Sequence, residues 1–494
     1  MDSLPPEKRN SSYRILQLSK TGTPQAMEQE MEKVTDKGKI FRAKDINGYS
    51  GIHHIAERSG EEALKILQVM LNNGADLSEQ TSESMTILHI ACKNGYIELS
   101  DYCLKKDPDL LNMEDSNGWN AAMFAVFHGH MSSLNFLRGF KNLKICSDKT
   151  KVNILHLACL TRDINIFKNI FEKFPDLKRD TDQEGRTILH YVARGGSCEI
   201  LSILLKDPWM VNQLKSNSAK TASPLEIACL YGHAEMCRNL IAKHPTMMRT
   251  RNKNGLHAVQ YAAIGGQIDV MCLLQEFLGN TVEKYIEFGE KGNDILQLAC
   301  VYGKNEMWKY ISNEFPTLRS KRDHDGWGMQ HLAAKVGNCS VLKIILEPEE
   351  ASDDNQQPFK WNEKDNLHRT VLHIASLHGN LEVCTYLVSK FPQINEQRDI
   401  YGCLACTLAA KGGNFKLFRL LYEKSSHFID EIDMDNILEA AHQSNNSHMI
   451  HCIMETYKTL RLKENAKYIG RDVADVDVDI DEHLVPSPVL ETHF

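Results

Sequence analysis

The sequence lacks the marks of a membrane-spanning, secreted or nucleic-acid-binding chain. No stretch approaches the roughly 18 uncharged apolar residues that would cross a bilayer. The opening MDSLPPEKRNSS has no apolar core and so is not read as a secretory signal. Lys and Arg are not in excess. The 57 of them face 65 Asp and Glu, a formal charge of -8, whereas nucleic-acid backbones are held by clustered surplus cations. Aromatic residues are sparse at 7%, but 42% apolar content is enough for a core and excludes a wholly disordered chain. Fourteen cysteines in 494 residues without a signal are expected to be reduced, buried thiols. The expected compartment is the cytosol, with the nucleus as the alternative.

Catalytic patterns are missing as well. There is no GxxxxGK[ST], no GxGxxG after a strand, no GxSxG, no HExxH and no set of kinase motifs. Cys403 and Cys406 form the only C-x-x-C. A structural zinc site needs a second such pair or nearby histidines, and a redox pair wants a βα context; neither is present. No enzyme, metal or cofactor is expected.

What the chain does have is a repeat. A small residue with Gly four positions later recurs in HIAERSG (54–60), HIACKNG (89–95), HLAAKVG (331–337) and HIASLHG (373–379). The small-residue slot runs through Leu18, Ala56, Ala91, Ala125, Ala158, Val192, Ala228, Ala262, Ala299, Ala333, Ala375, Ala409 and Ala441. Spacings lie between 32 and 42 residues, and eleven of the thirteen slots are followed by that Gly, too many for chance. The physical reading is a short helix whose small residue lets a neighbouring helix approach, stopped by a left-handed Gly. A second helix with leucine-type spacing follows, then a polar turn such as EDSNG (114–118), TDQEG (181–185) or RDIYG (398–402). No such unit buries its apolar face alone, so stacking predicts an all-α solenoid of about 12–13 units.

The order turn-Gly, T-x-L-H-x-A, Gly, helix resembles the ankyrin repeat. It is clearest in MTILHIACKNG (85–95), RTILHYVARGG (186–196), ASPLEIACLYG (222–232) and RTVLHIASLHG (369–379). The resemblance implies helix-turn-helix units joined by hairpin-like fingers. Residues 1–10 are expected to be flexible, 11–44 and 429–462 to be terminal caps, and 45–428 to form the array. The acidic, Pro-bounded stretch at 347–360 should loop out. Second helices that end in DPDL, FPDL, HPTM, FPTL or FPQI should be broken there by Pro and release the chain outward. Histidine stands two before the small slot at His54, His89, His156, His190, His331 and His373, where it should tie neighbouring turns together. From 463 to 494 the repeat fails; DVADVDVDIDE (472–482) carries six acids in eleven residues and is expected to be a disordered tail, with a strand as the alternative.

The resemblance implies that partners are gripped on a concave face by the turn tips and the two positions after the small pair. These slots are normally polar. Here they hold Phe127, Leu230, Tyr231, Ile264, Val301, Tyr302, Leu377 and His378, and the tips hold Trp119, Arg186, Leu256 and Trp327. The two readings are a binding groove for proteins and a solenoid curved tightly enough to bury these side chains. Arg179, Arg249, Arg251, Lys253, Arg319, Lys321 and Arg322 form either a basic finger stripe for an acidic partner, the chain's own tail included, or merely solvated turn tips. The terminal Thr492-His493-Phe494 fits the short pattern that PDZ domains capture. The expectation is a monomeric, non-enzymatic scaffold or adaptor, the alternative a regulatory or inhibitory module of the channel-associated or partner-masking kind.

Overall fold

The computed structural model describes residues 6–34, 40–215, 222–252, 254–286, 294–323, 325–347, 361–425, 429–444, 446–451 and 453–454. Among these the regular structure is helical, and the one β feature is an isolated bridge between Cys146 and Asn153. The fold is a helical repeat solenoid. Its residues group into two compact units, one up to Met307 and one from Trp308 onward. The acidic tail, most of the 347–360 insertion and residues 1–5 lie outside the described residues.

One repeat explains the others. Thr86 stays extended and caps the helix Ile87–Lys93, whose Ile87, Leu88, Ile90, Ala91 and Cys92 are buried. Gly95, at φ 78°, turns the chain into the helix Ile97–Lys106, which buries Leu99, Cys103 and Leu104. Proline then does something other than send the chain outward. The Asp107 carboxylate accepts from the Asp109 N–H at 3.1 Å and opens a 3-10 turn, Pro108–Asn112, that tucks Leu110 and Leu111 back into the core. A Pro-led 3-10 turn recurs without the aspartate cap at Pro175–Arg179, Pro245–Arg249, Pro316–Ser320 and Pro392–Glu396, and all but the first of these bury apolar residues: Met247 and Met248, Leu318, and Ile394. Pro supplies the φ such a turn needs, and its missing N–H is not wanted at a first turn.

The finger follows. Asp115 accepts from the N–H groups of Asn117 at 2.9 Å and Trp119 at 2.7 Å, an Asx turn closed by Gly118 at φ 78°. Each finger also hangs on the one before it: Ser116 N–H donates to the Glu83 carbonyl at 2.8 Å, and Ile400 N–H to that of Leu367 at 2.9 Å. The left-handed turn persists without glycine. Ser84, Lys151 and His368 stand in the Gly118 slot at φ 61°, 58° and 57°, and Arg162 in the Gly95 slot at 59°. The array thus imposes the conformation and these residues bear its strain.

Within each unit the first helices of successive repeats lie side by side. Pro224–Tyr231 packs on Ala258–Gly265 in the first unit and Val371–Leu377 on Ala405–Lys411 in the second. Ala91, Ala125, Ala228, Ala333 and Ala409 are fully buried, as their small size requires. The approach is closest where a second small residue stands beside the Gly: a Cβ on Gly265 would lie 2.1 Å from the Leu230 carbonyl oxygen.

Two expectations are corrected. A helix begins at Pro6, inside the stretch 1–10 expected to be flexible. In the repeat at 50–60 it is His53, not His54, that takes the structural histidine slot. Ser50 is the N-cap there and His53 the third helical residue, so the helix Gly51–Ile55 runs one residue earlier than the Ala56–Gly60 spacing suggests.

Gly265→Ala should cost about 1–3 kcal/mol in chemical denaturation, since backbone must move to admit the methyl. His368→Gly should stabilise by up to about 1 kcal/mol, because relief of left-handed strain exceeds the entropy that Gly adds to the unfolded chain. A loss of stability in His368→Gly would mean that the array does not strain this turn.

Candidate functional site

The buried imidazoles are built into the repeat. His89 Nδ1 accepts from the Thr86 N–H at 3.0 Å and from its hydroxyl at 2.8 Å, while Nε2 donates to the Trp119 carbonyl of the next finger at 3.0 Å. His53 and His373 repeat the pattern, reaching Met85 and Cys403 carbonyls at 3.1 Å. Gln260 reproduces it, accepting from His257 N–H and donating to the Tyr285 carbonyl, both at 2.8 Å. Glu226 keeps only the capping half, accepting from Ser223 N–H at 2.7 Å, and burial pushes its carboxyl up to about 7. Burial lowers His53, His89, His156 and His190 to about 4. At His89 a second ring proton would also point at the Thr86 N–H donor.

These bonds occupy both ring nitrogens of His53, His89 and His373, and most thiols are buried; against the expectation of burial throughout, Cys146, Cys198 and Cys403 are half-buried and Cys272 is exposed. Burial pushes Cys92 and Cys406 up to about 12, and Cys229 lies 3.7 Å from Cys237 inside the core. No group of three His, Cys, Asp or Glu that could hold a metal occurs among the described residues.

The proposed groove residues divide into two kinds. In the first unit Tyr231 and Tyr302 are 44% and 51% exposed, and Phe127 and Val301 are exposed beside fully buried Val126 and Cys300. Leu230, Leu256 and Ile264 are half-buried. Trp119 is half-buried against Phe127 and Phe124, with ring centres at 5.1 and 5.6 Å, so it supports the exposed Phe127. Arg186 is held by Asp182 at 2.7 Å and Glu184 at 2.9 Å. Burial opposes ionisation of Asp182, but bonds from Arg186 and Tyr191 keep its carboxyl below the usual range.

In the second unit Leu377 is half-buried and His378 exposed. Trp327 is part of the scaffold: its indole N–H donates to Asp365 at 3.0 Å, and the same carboxylate oxygen takes Arg369 at 2.7 Å. Lys335 lies 5.0 Å over its ring, which places finger and helix end on one face.

Most of the expected basic finger stripe has internal partners. Arg179 lies 5.9 Å over Trp209, and Arg251 donates to His257 at 2.9 Å. Arg319 donates to Ser312 at 2.8 Å, and Arg322 pairs with Glu363 at 3.2 Å. Arg249 is exposed and Lys321 half-buried. Lys253, Thr492 and Phe494 lie outside the described residues.

Two tip residues escaped the sequence reading. Ile400 and Tyr401 are 55% and 73% exposed on the finger RDIYG. The signal was there: the same two positions elsewhere read Ser-Asn at 116–117 and Gln-Glu at 183–184, and an apolar pair at a turn tip has no folding reason.

Comparison with known proteins agrees with the geometry. The family profile "Ankyrin repeats (3 copies)" matches residues 52–147 and 330–435. The chain is an ankyrin repeat protein. An ankyrin repeat protein of Acanthamoeba polyphaga mimivirus is 22% identical over 332 residues, 63% of this chain and 38% of that one. The transient receptor potential cation channel subfamily A member 1 homolog of Caenorhabditis elegans is 22% identical over 398 residues, 80% of this chain and 30% of the channel. NF-kappa-B inhibitor cactus of Drosophila yakuba is 21% identical over 288 residues, covering 56% and 53%. The chain thus spans less than two thirds of each of these relatives. Ankyrin repeats are protein–protein interaction modules. Among the described residues no helix is long and apolar enough to cross a membrane.

The imidazole bonds carry a pH dependence. A histidine held neutral with a pKa near 4 binds fewer protons when folded than when unfolded, where its value is 6.5. Its contribution is therefore complete above pH 6.5 and lost as pH falls toward 4. His89→Gln, which copies the arrangement at Gln260, should keep both bonds and reduce the fall in melting temperature between pH 7 and 5. An unchanged pH profile would remove His89 from this role.

Proposed function

We propose that this ankyrin repeat protein is a non-enzymatic scaffold or adaptor whose helix ends and finger tips hold protein partners. The observation that carries this is the exposure of Tyr231 and Tyr302 two residues beyond the fully buried pairs Ala228-Cys229 and Ala299-Cys300. Burial of aromatic and aliphatic groups of this kind drives association, and Tyr is a frequent hot spot. A regulatory or inhibitory role is the second reading. It is favoured by the matches to an NF-kappa-B inhibitor and to a cation channel homolog, and would make the array one part of a switched assembly.

The test is a double variant, Tyr231→Ala with Tyr302→Ala, in a proximity-labelling comparison from cytosol. Helical content and melting should barely change, while capture of specific partners should fall at least tenfold. Gly303→Val is the contrasting control, since φ 69° strains any side chain and should lower stability first. Trp327→Ala is unsuitable, because it strips a donor from buried Asp365. Undiminished capture by the double variant would place recognition elsewhere.

A further inference from the structure

The second unit presents a face that is basic and apolar together. Lys335 and Lys411 end the first helices Met329–Val336 and Ala405–Lys411, and Lys364 begins the finger between them. All three are exposed, and among the described residues none is held in an ion pair. The Asp365 and Asp399 carboxylates nearby are buried within their own Asx turns. Beside these cations stand Leu367, Ile400 and Tyr401, all exposed. Fingers and helix ends share this face, because Lys335 covers the Trp327 ring and Ile400 N–H is tied to the Leu367 carbonyl. Lys411 also lowers the neighbouring Cys403 thiol, against the dominant effect of burial, so its charge reaches the finger that carries Tyr401.

The ligand this surface suits has carboxylates interleaved with aliphatic side chains. The chain carries such a segment. Within DVADVDVDIDE (472–482), residues 475–481 alternate Asp with Val and Ile, so an extended conformation there sets four acids on one side and apolar groups on the other. Seventeen residues, 455–471, separate it from the last described residue, Met454. Eighteen steps of chain reach at most about 60 Å, ample for a unit of a few stacked repeats.

We propose that residues 472–482 dock on this face of the second unit and compete with outside ligands for it. This rests on the reading of finger tips and helix ends as a binding surface, and names its regulator. It also moves the docking site away from the finger arginines, since Arg319 and Arg322 are spent on Ser312 and Glu363. Tethering raises the effective concentration of the segment to the order of 1 mM, so an intrinsic Kd of about 0.1 mM keeps the face roughly nine-tenths occupied.

The experiment uses the full chain and a fluorescein-labelled peptide of residues 470–484 added in trans. The wild type is compared with a neutral-tail variant carrying Asp475→Asn, Asp477→Asn, Asp479→Asn and Asp481→Asn. At low salt the variant should bind the peptide about tenfold more tightly. High salt should weaken that binding, as screening demands. Adding Lys335→Glu and Lys411→Glu to the neutral-tail chain should abolish it while leaving the far-ultraviolet circular dichroism unchanged. Carbodiimide coupling in the intact chain should join Lys335, Lys364 or Lys411 to residues 472–482 within one molecule. Equal peptide affinity for the two chains, binding that survives the Lys→Glu changes, or coupling only between two copies would overturn the proposal. Loss of partner capture in the Tyr231 and Tyr302 variant is a separate readout, so the tail can fail as regulator while the interaction surface stands.

Discussion

Four first helices carry in their first turn a side chain that makes hydrogen bonds in two directions. The imidazole of His53, His89 or His373 closes its own helix start through Nδ1 and holds the next finger through Nε2. One group thus satisfies a buried N–H inside its repeat and a buried carbonyl in the next, and an unmet polar group in either place would cost about 1–3 kcal/mol. Gln260 substitutes because an amide also carries one acceptor and one donor at that reach. Glu226 can do only the first half while ionised, having no proton to donate. Finger stacking depends on this bond, while burial keeps the ring neutral.

A second constraint is distance. First helices can lie this close only if alanine or glycine faces the neighbour, and Gly265 leaves no room even for a methyl. Close packing there fixes which residues have nowhere to go but solvent. Phe127 lies two residues, and Tyr231 and Tyr302 three residues, beyond the buried Ala125, Ala228 and Ala299, so their exposure is a consequence of the same geometry that buries those alanines. The surface available to partners is the complement of the core, and its chemistry is free to vary because the core does not use it.

Much of this was legible in the residues. Repeat length, the small slots, the left-handed glycines and the Asx turns each answer to a local rule, so they survive reading in one dimension. The register of the repeat at 50–60 did not, because the Ala56–Gly60 spacing imitates the pattern one residue late; only the extended Ser50 shows where the helix starts. Trp327 looked like an interface anchor and proved to be a donor to Asp365, a carboxylate 38 residues away that no local rule places beside it. The finger arginines looked like a stripe, and internal partners absorb several of them. In the other direction, Ile400 and Tyr401 broke the polar habit of turn tips in plain sight.

The sequence by itself determined that this is a helical repeat solenoid, because its period and small-residue slots admit no other way of burying the apolar faces. It also determined which positions could face a partner. Tertiary structure decided which of those positions are spent. Arg186, Arg322 and Trp327 meet carboxylates from their own or the next finger, whereas Tyr231, Tyr302, Lys335 and Tyr401 remain on the surface. The physical reason is that a side chain's role depends on what the neighbouring repeat brings within hydrogen-bond or ion-pair reach, and that partner is some thirty-odd residues distant along the chain.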